Sequence, residues 1–435
     1  MIAPAFPSWL FLLAAGAAQE SRPSGEPRFP LQPSADRRSF VDAQGRPFLY
    51  HADTAWNLPK KLTLKETHEY LDDRKARGFT ALQIQAVSKE QGAMANRDGH
   101  DPFAPPEDIL KPNEPYWRHL DALIGAVRER GFLLAVAPLW IRWGGNDREG
   151  WRRELTDANA RAYGRFLGRR YRDFDNLLWI LGGDANPGDR TRATSEMALG
   201  IREEAPRHFL TYHAAPDHSS ARWFGNETWL DVNGAYTYRE TPLHVSAEWA
   251  REPARPIVLL ESGYEDESND KRGGSPLRMR RQVYQAIFSG STGGHAFGQK
   301  HVWRFDAEWR KALDSPATRQ MVHAKNFLVS KAWFALAPEA AALAGGRGDA
   351  DAVAVAARSA DGRRLLVYLP QPRALKVDLS RLAGPARGFW FDPTDGKEKA
   401  IEGSPFENRG TREFIPPEKN AAGEGDFVLV LEAAP

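Results

Sequence analysis

Two acidic residues stand out by what precedes them. Asp184 follows the run LLWILGG, and Glu261 closes PIVLLE, directly after four apolar residues. A carboxyl with apolar neighbours resists ionisation, and a second carboxylate nearby raises one member of the pair further. A protonated acid beside an ionised carboxylate is what hydrolysis of a glycosidic bond requires. One gives a proton to the leaving oxygen; the other attacks the anomeric carbon or activates water. Taken singly, either residue reads as well as a helix cap or half of a salt bridge.

Other apolar runs end in residues that suit the same chemistry. His51, Asp53 and Trp56 follow the first, Gln85 lies with Gln83 on the second, Trp140 ends the third, and Asn186 stands just past Asp184. His213 ends the fifth run beside Tyr212, Tyr236 the sixth with Asn233 and Tyr238, and His295 the eighth, with Trp303 beyond. Amides, imidazoles and carboxylates hydrogen-bond hydroxyls, and indole faces stack on the C–H side of a sugar ring. Each of these residues alone reads as core. Their concentration at run ends makes them candidate substrate-binding residues, and the 14 Trp, 11 Tyr and 22 Phe are many for 435 residues.

Rival chemistries fit poorly. No cysteine is present, which removes thiolate nucleophiles, disulfides and Cys-based metal sites. There is no Gly-x-Ser-x-Gly elbow, no His-Glu-x-x-His and no phosphate loop ending in Gly-Lys-Ser or Gly-Lys-Thr. His51 and Asp53 could hold a metal, but His-Ala-Asp is a poor match to the His-x-His that barrel metallohydrolases place on strand one. No metal and no cofactor are expected. The charge balance, 59 basic against 57 acidic residues, argues against a nucleic-acid partner. Glu265 is the main competitor of Glu261, ranked lower for lying four residues beyond the strand-like run, in an acidic cluster with Asp266, Glu267 and Asp270 that reads as a solvated loop.

The elements that must position these residues follow a rhythm. Apolar runs at 48–52, 80–87, 133–139, 177–181, 209–213, 230–236, 257–260 and 293–297 alternate with charged, helix-periodic stretches. Gly78 and Gly131 close two of those stretches, as helix C-caps do. Eight alternations predict an α/β fold, a closed (β/α)₈ TIM barrel whose active site lies where the strands end. Strands four and seven then face each other across the mouth, which brings Asp184 and Glu261 to one substrate. Beyond residue 335 the helical period gives way to short alternating runs with a turn at Asp361–Gly362, the pattern of a small all-β sandwich. Trp390 and Phe391 read as its core.

The expected domains are a signal peptide over 1–18, a linker over 19–38, the catalytic barrel over 39–335 and the β-sandwich over 336–435. Residues 9–18 read WLFLLAAGAA, too short to span a bilayer and ending in small residues. That predicts export to a bacterial periplasm or the medium, with no membrane insertion after cleavage. Nothing in the sequence sets an oligomeric state.

The segments HADTAW, YLDDRKARGF, PNEPYWRHLD, LLWILGGDANP, ESGYED and VWRF resemble the apiosidase-like glycoside hydrolases. FWFDPTDGK is similar to a small β module, labelled collagen-binding, that often follows that barrel. The resemblance covers about residues 38–435. It implies a clan A type barrel and a retaining mechanism, with Asp184 as acid/base and Glu261 as nucleophile. Barrels of this clan commonly carry Asn-Glu at strand four. Gly-Asp stands here, one methylene shorter, as in the apiosidase-like group. The activity implied is release of the branched pentose apiose from plant pectin side chains. Residues 92–103, Arg142 and Arg239 are substrate-facing candidates. The function expected is an exo-acting glycosidase on a plant-type polysaccharide or glycoside. The alternative is a non-catalytic carbohydrate- or collagen-binding extracellular protein.

Overall fold

The computed structural model describes residues 25–89, 92–142, 150–267 and 273–434. Eight strands form its centre: β1 Tyr50–Thr54, β2 Ala81–Gln85, β3 Leu133–Ala137, β4 Leu177–Gly182, β5 Phe209–His213, β6 Asn233–Tyr236, β7 Ile257–Glu261 and β8 Gly294–Phe297. Each corresponds to one of the eight expected runs. They pair in parallel in the order β5-β4-β3-β2-β1-β8-β7-β6. No ladder joins β5 to β6. Instead the N–H groups of Asp231 and Val232 donate to the Leu210 carbonyl at 3.0 and 3.3 Å, and Thr211 Oγ1 donates to the Val232 carbonyl at 2.8 Å. These bonds draw the two edges together and nearly close the barrel.

Helices cover the outside, as a parallel sheet buried on both faces requires. Leu64–Ala76 starts with a reciprocal capping box between Thr63 and Glu66. Gly78 and Gly131 follow their helices at φ +79° and +69°, where a side chain would be strained. Along each strand the side chains alternate. Ala52, Ala135, Ile180 and Val258 fill the barrel, while Leu82, Val136, Trp179 and Leu210 meet the helices.

One expectation changes here. Residues 25–38 are packed rather than linker-like: Leu31 is buried, and Gln32–Pro33 pairs with Phe40–Val41, which pairs with Pro47–Phe48 across the Asp42–Gly45 turn. Phe40 meets Phe209 at 5.5 Å, so this small sheet plugs the barrel end opposite the mouth. The signal peptide expected over 1–18 lies outside the described residues.

From Leu336 the chain forms an antiparallel β domain. A six-stranded sheet faces a three-stranded one, and Leu365, Val367, Leu375, Val377, Trp390 and Leu429 pack in one cluster between them. The alternate residues Leu366, Tyr368, Val428 and Val430, with Phe391, belong instead to the core of the barrel's helical layer. Tyr284 stacks on Tyr368 at 5.0 Å, and Phe327 meets Phe391 at 4.2 Å. Buried Arg280 donates through Nε to Asp426 at 2.8 Å. Period-two alternation thus gives one sheet two apolar faces, one for its own sandwich and one for the barrel.

Candidate active site

Glu261 ends β7, and simple alternation would send it outward: Ile257 and Leu259 face the helices, Val258 and Leu260 the barrel. A β-bulge reverses this. Ala235 pairs with Leu259, but Tyr236 pairs with Glu261, skipping Leu260. The bulge puts Glu261 on the same inner face as Leu260 and aims its carboxyl into the mouth, the use such irregularities have near active sites.

Asp184 is delivered by backbone conformation. Gly182, Gly183 and Asp184 all have positive φ, at +87°, +124° and +48°. A Cβ on Gly183 would fall 2.3 Å from the Trp140 ring. The two glycines therefore let the chain leave β4 tightly against Trp140 and turn the next residue inward. The left-handed conformation at Asp184 is uncommon for a residue with a side chain, though aspartate tolerates it better than most.

The two carboxyls meet with His213. One donor atom from each of Asp184, His213 and Glu261 lies within 4.8 Å of the others. Glu261 is 7% exposed. Burial pushes its carboxyl up to about 8, against a hydrogen bond from Tyr264 that favours the charged form and with Glu267 nearby opposing it. Burial, then the Glu261 charge, raise Asp184 to about 7, while His213, Trp140 and Tyr236 favour its ionised form. The pair titrates together and holds a proton at neutral pH. His213 Nδ1 lies 3.2 Å from the Ala214 carbonyl and donates to it. Burial pushes this imidazole down to about 4, so it is neutral. Its Nε2 lone pair then faces Glu261 Oε2 at 2.8 Å, out of hydrogen-bond alignment.

Aromatic side chains wall the recess. Trp56 and Trp140 lie 4.7 Å apart, Trp140 and His213 4.8 Å, and His213 and Tyr236 4.7 Å. Trp56 Nε1 donates to the Tyr264 hydroxyl at 2.8 Å, and Tyr264 turns its own proton to Glu261. Tyr236 donates to Tyr238 at 2.9 Å. Trp303 donates to Glu267 Oε1 at 2.8 Å, anchoring a third carboxylate at the edge. Gln85 is buried on the inner face of β2, and neither amide atom has a partner among the described residues. Asn186 sits at the rim, its Oδ1 accepting from Trp223 Nε1 at 3.2 Å.

Three expected site residues are elsewhere. His51, Asp53 and His295 occupy outward positions of β1 and β8, paired side by side in the ladder as His295 with His51 and Phe297 with Asp53. His51 stacks on Phe79 at 4.7 Å, and its Nδ1 lies 2.9 Å from His295 Nε2. Asp53 accepts from the Tyr70 hydroxyl at 2.7 Å and Arg74 Nη1 at 3.2 Å, with both partners fully buried. These are buried polar groups of the helical layer. Strand parity decides this, since the inner residues of β1 are Tyr50 and Ala52. The idea of a metal at His51 and Asp53 falls with it. Among the described residues, the set spaced to hold an ion is Asp184, His213 and Glu261 itself.

Glu265 is likewise removed as a competitor. It accepts from the Ala317 N–H at 2.9 Å and from Ser315 Oγ, capping the helix Pro316–Ser330. The acidic cluster is also not the solvated loop expected: Glu265 and Glu267 are buried, and Asp266 accepts from Gln299 at 2.7 Å. Asp270 lies outside the described residues. Tyr264 and Glu267 are contributions the sequence reading passed over. For Tyr264 a signal existed, since it stands three residues past Glu261 in ESGYE.

Comparison with known proteins agrees with the barrel and the β domain. Residues 34–335 match the profile described as "Apiosidase-like, catalytic domain", and residues 337–432 that described as "Putative collagen-binding domain of a collagenase". No curated protein matches the sequence. Among solved structures, one titled "Glycoside hydrolase" is 26% identical with a TM-score of 0.82, covering 93% of this chain and 97% of that one. A family 5 glycoside hydrolase from Bacteroides vulgatus is 27% identical with a TM-score of 0.81, covering 93% and 92%. A family 5 mannosidase from Rhizomucor miehei, 11% identical, shares the fold at a TM-score of 0.52 over 70% of this chain and 98% of that one.

Proposed function

Since the chain belongs to the apiosidase-like family of glycoside hydrolases, we propose that it is a retaining, exo-acting glycosidase with Asp184 as acid/base and Glu261 as nucleophile. The observation that carries this is the approach of the two carboxyls to within 4.8 Å in one recess. Retention needs carboxyls ~5–5.5 Å apart, whereas inversion needs ~6.5–9.5 Å to admit a water.

In the reactive arrangement the shared proton sits on Asp184 and Glu261 is ionised. Asp184 gives the proton to the glycosidic oxygen while a Glu261 oxygen bonds the anomeric carbon, and the leaving group departs as an alcohol. Asp184, now a carboxylate, takes a proton from water; the water oxygen displaces Glu261 from the anomeric carbon. The sugar leaves with its starting configuration, and both carboxyls return to their first state. Tyr264 steadies the Glu261 carboxylate during the cycle, and the Trp56–Trp140 wall receives the sugar's C–H face. A plant-type polysaccharide or glycoside bearing apiose is the substrate class the family description suggests.

The test is turnover of a panel of aryl glycosides and pectic oligosaccharides, with product anomer followed by NMR. Glu261→Gln and Asp184→Asn should each lower kcat by at least about 10³-fold with the fold intact. Wild-type rates in either variant, or an inverted product, overturn the assignment. Loss of activity on chelation, restored by a divalent ion, would favour a metal at the same three residues. Export is part of the proposal: cleavage near Ala18 would be read from the mature N-terminus by mass spectrometry. Among the described residues no helix is long and apolar enough to cross a membrane.

A further inference from the structure

We propose that Trp223 is the stacking platform for a sugar in the leaving-group position. The inference rests on the hydrolase reading above and extends it to the other side of the scissile bond. Trp223 is 38% exposed, the one aromatic among the large hydrophobic side chains left exposed in the described residues. It stands on the short helix Ser220–Phe224, which is anchored by its other face: Ala221 and Phe224 are buried, and Phe224 meets Tyr212 and Trp229, each at 4.9 Å.

Its polar atom is tied to the catalytic loop. Trp223 Nε1 donates to Asn186 Oδ1 at 3.2 Å, and the same oxygen lies 3.4 Å from the Ala215 N–H. Asn186 is two residues past Asp184, and Ala215 two past His213. The ring is thereby held in one orientation before any ligand arrives, which lowers the ordering cost of binding. His218 flanks it, ring centroids 6.3 Å apart and planes 32° from parallel, and the backbone of His218 pairs with Tyr236 at the pocket wall. The rim is thus continuous with the recess.

Position decides which sugar the indole meets. Glu261 takes the anomeric carbon, so the ring being released lies toward β7. Asp184 faces the oxygen of the leaving group, which must therefore pass the loop after β4, where Asn186 holds Trp223. An indole there offers a flat apolar face to the C–H side of a second sugar ring.

The experiment separates the two levels of the claim. A panel of pentosyl, hexosyl and uronosyl fluorides identifies the accepted sugar, because fluoride is a leaving group too small to reach the rim. The same sugar is then presented on a second sugar as a disaccharide. Trp223→Ala should lower kcat/KM on the disaccharide about 10-fold, chiefly through KM, and leave the fluoride within about 2-fold; Trp223→Phe should recover most of the loss. Equal loss on both substrates, no loss on the disaccharide, or a changed oligomeric state with unchanged kinetics overturns the platform while the hydrolase reading stands. If the wild-type protein turns over none of the fluorides or disaccharides, the hydrolase reading fails and this inference with it.

Discussion

His213 Nε2 lies 2.8 Å from Glu261 Oε2, with the other ring nitrogen engaged by the Ala214 carbonyl. A neutral imidazole in that orientation brings a lone pair against the carboxyl.

Catalysis should follow the pair's proton count. With Asp184 raised to about 7 and Glu261 to about 8, kcat/KM should show a bell centred near neutral to mildly alkaline pH. Glu261 must be free to ionise on the acid side, and the last proton is lost on the alkaline side. An initial-rate profile from pH 4 to 10 measures this. An optimum near pH 4 would mean that the carboxyls are not raised.

The same burial makes a stability prediction of opposite appearance. Both carboxyls have folded-state values above their unfolded ones, 3.8 for Asp184 and 4.5 for Glu261. Their contribution is intact below about pH 4 and is lost as pH rises through about 7 to 8. Glu261→Gln should therefore melt at least about 2 °C above wild type at pH 9 and show no such gain at pH 4. Thermal unfolding at the two pH values decides it.

Asp53 should matter to folding and not to chemistry. Its partner Arg74 is fully buried, and removal of one member of a buried pair costs about 3 kcal/mol. Asp53→Ala should lower the denaturation midpoint by a matching amount while active-site titration gives an unchanged kcat per folded molecule. A fall in kcat with normal stability would return Asp53 to the site.

Gly183 should be intolerant of any side chain. Alanine there would meet the Trp140 ring and force φ away from +124°, displacing both Trp140 and Asp184. Gly183→Ala should lower kcat about 10²-fold, as misplacement near 1 Å does. Normal turnover would show that the β4 turn has slack.

The sequence by itself determined the number and kind of elements and the two carboxyls. Eight apolar runs separated by helix-periodic stretches admit little besides a parallel barrel, and each run found its strand. Asp184 and Glu261 were legible because both stand directly after such runs. Facing was not legible. A strand shows alternate residues to opposite sides, and the absolute phase depends on what packs against it: Tyr50 and Ala52 fill the barrel, so His51, Asp53 and His295 face the helices. For Glu261 phase alone would have failed too, because a bulge visible only in the pairing of Tyr236 turns it inward. Likewise, only the folded chain shows that Glu265 caps a helix fifty residues on. Local composition specifies what a segment becomes, but register and long-range contact decide which side chains share a space.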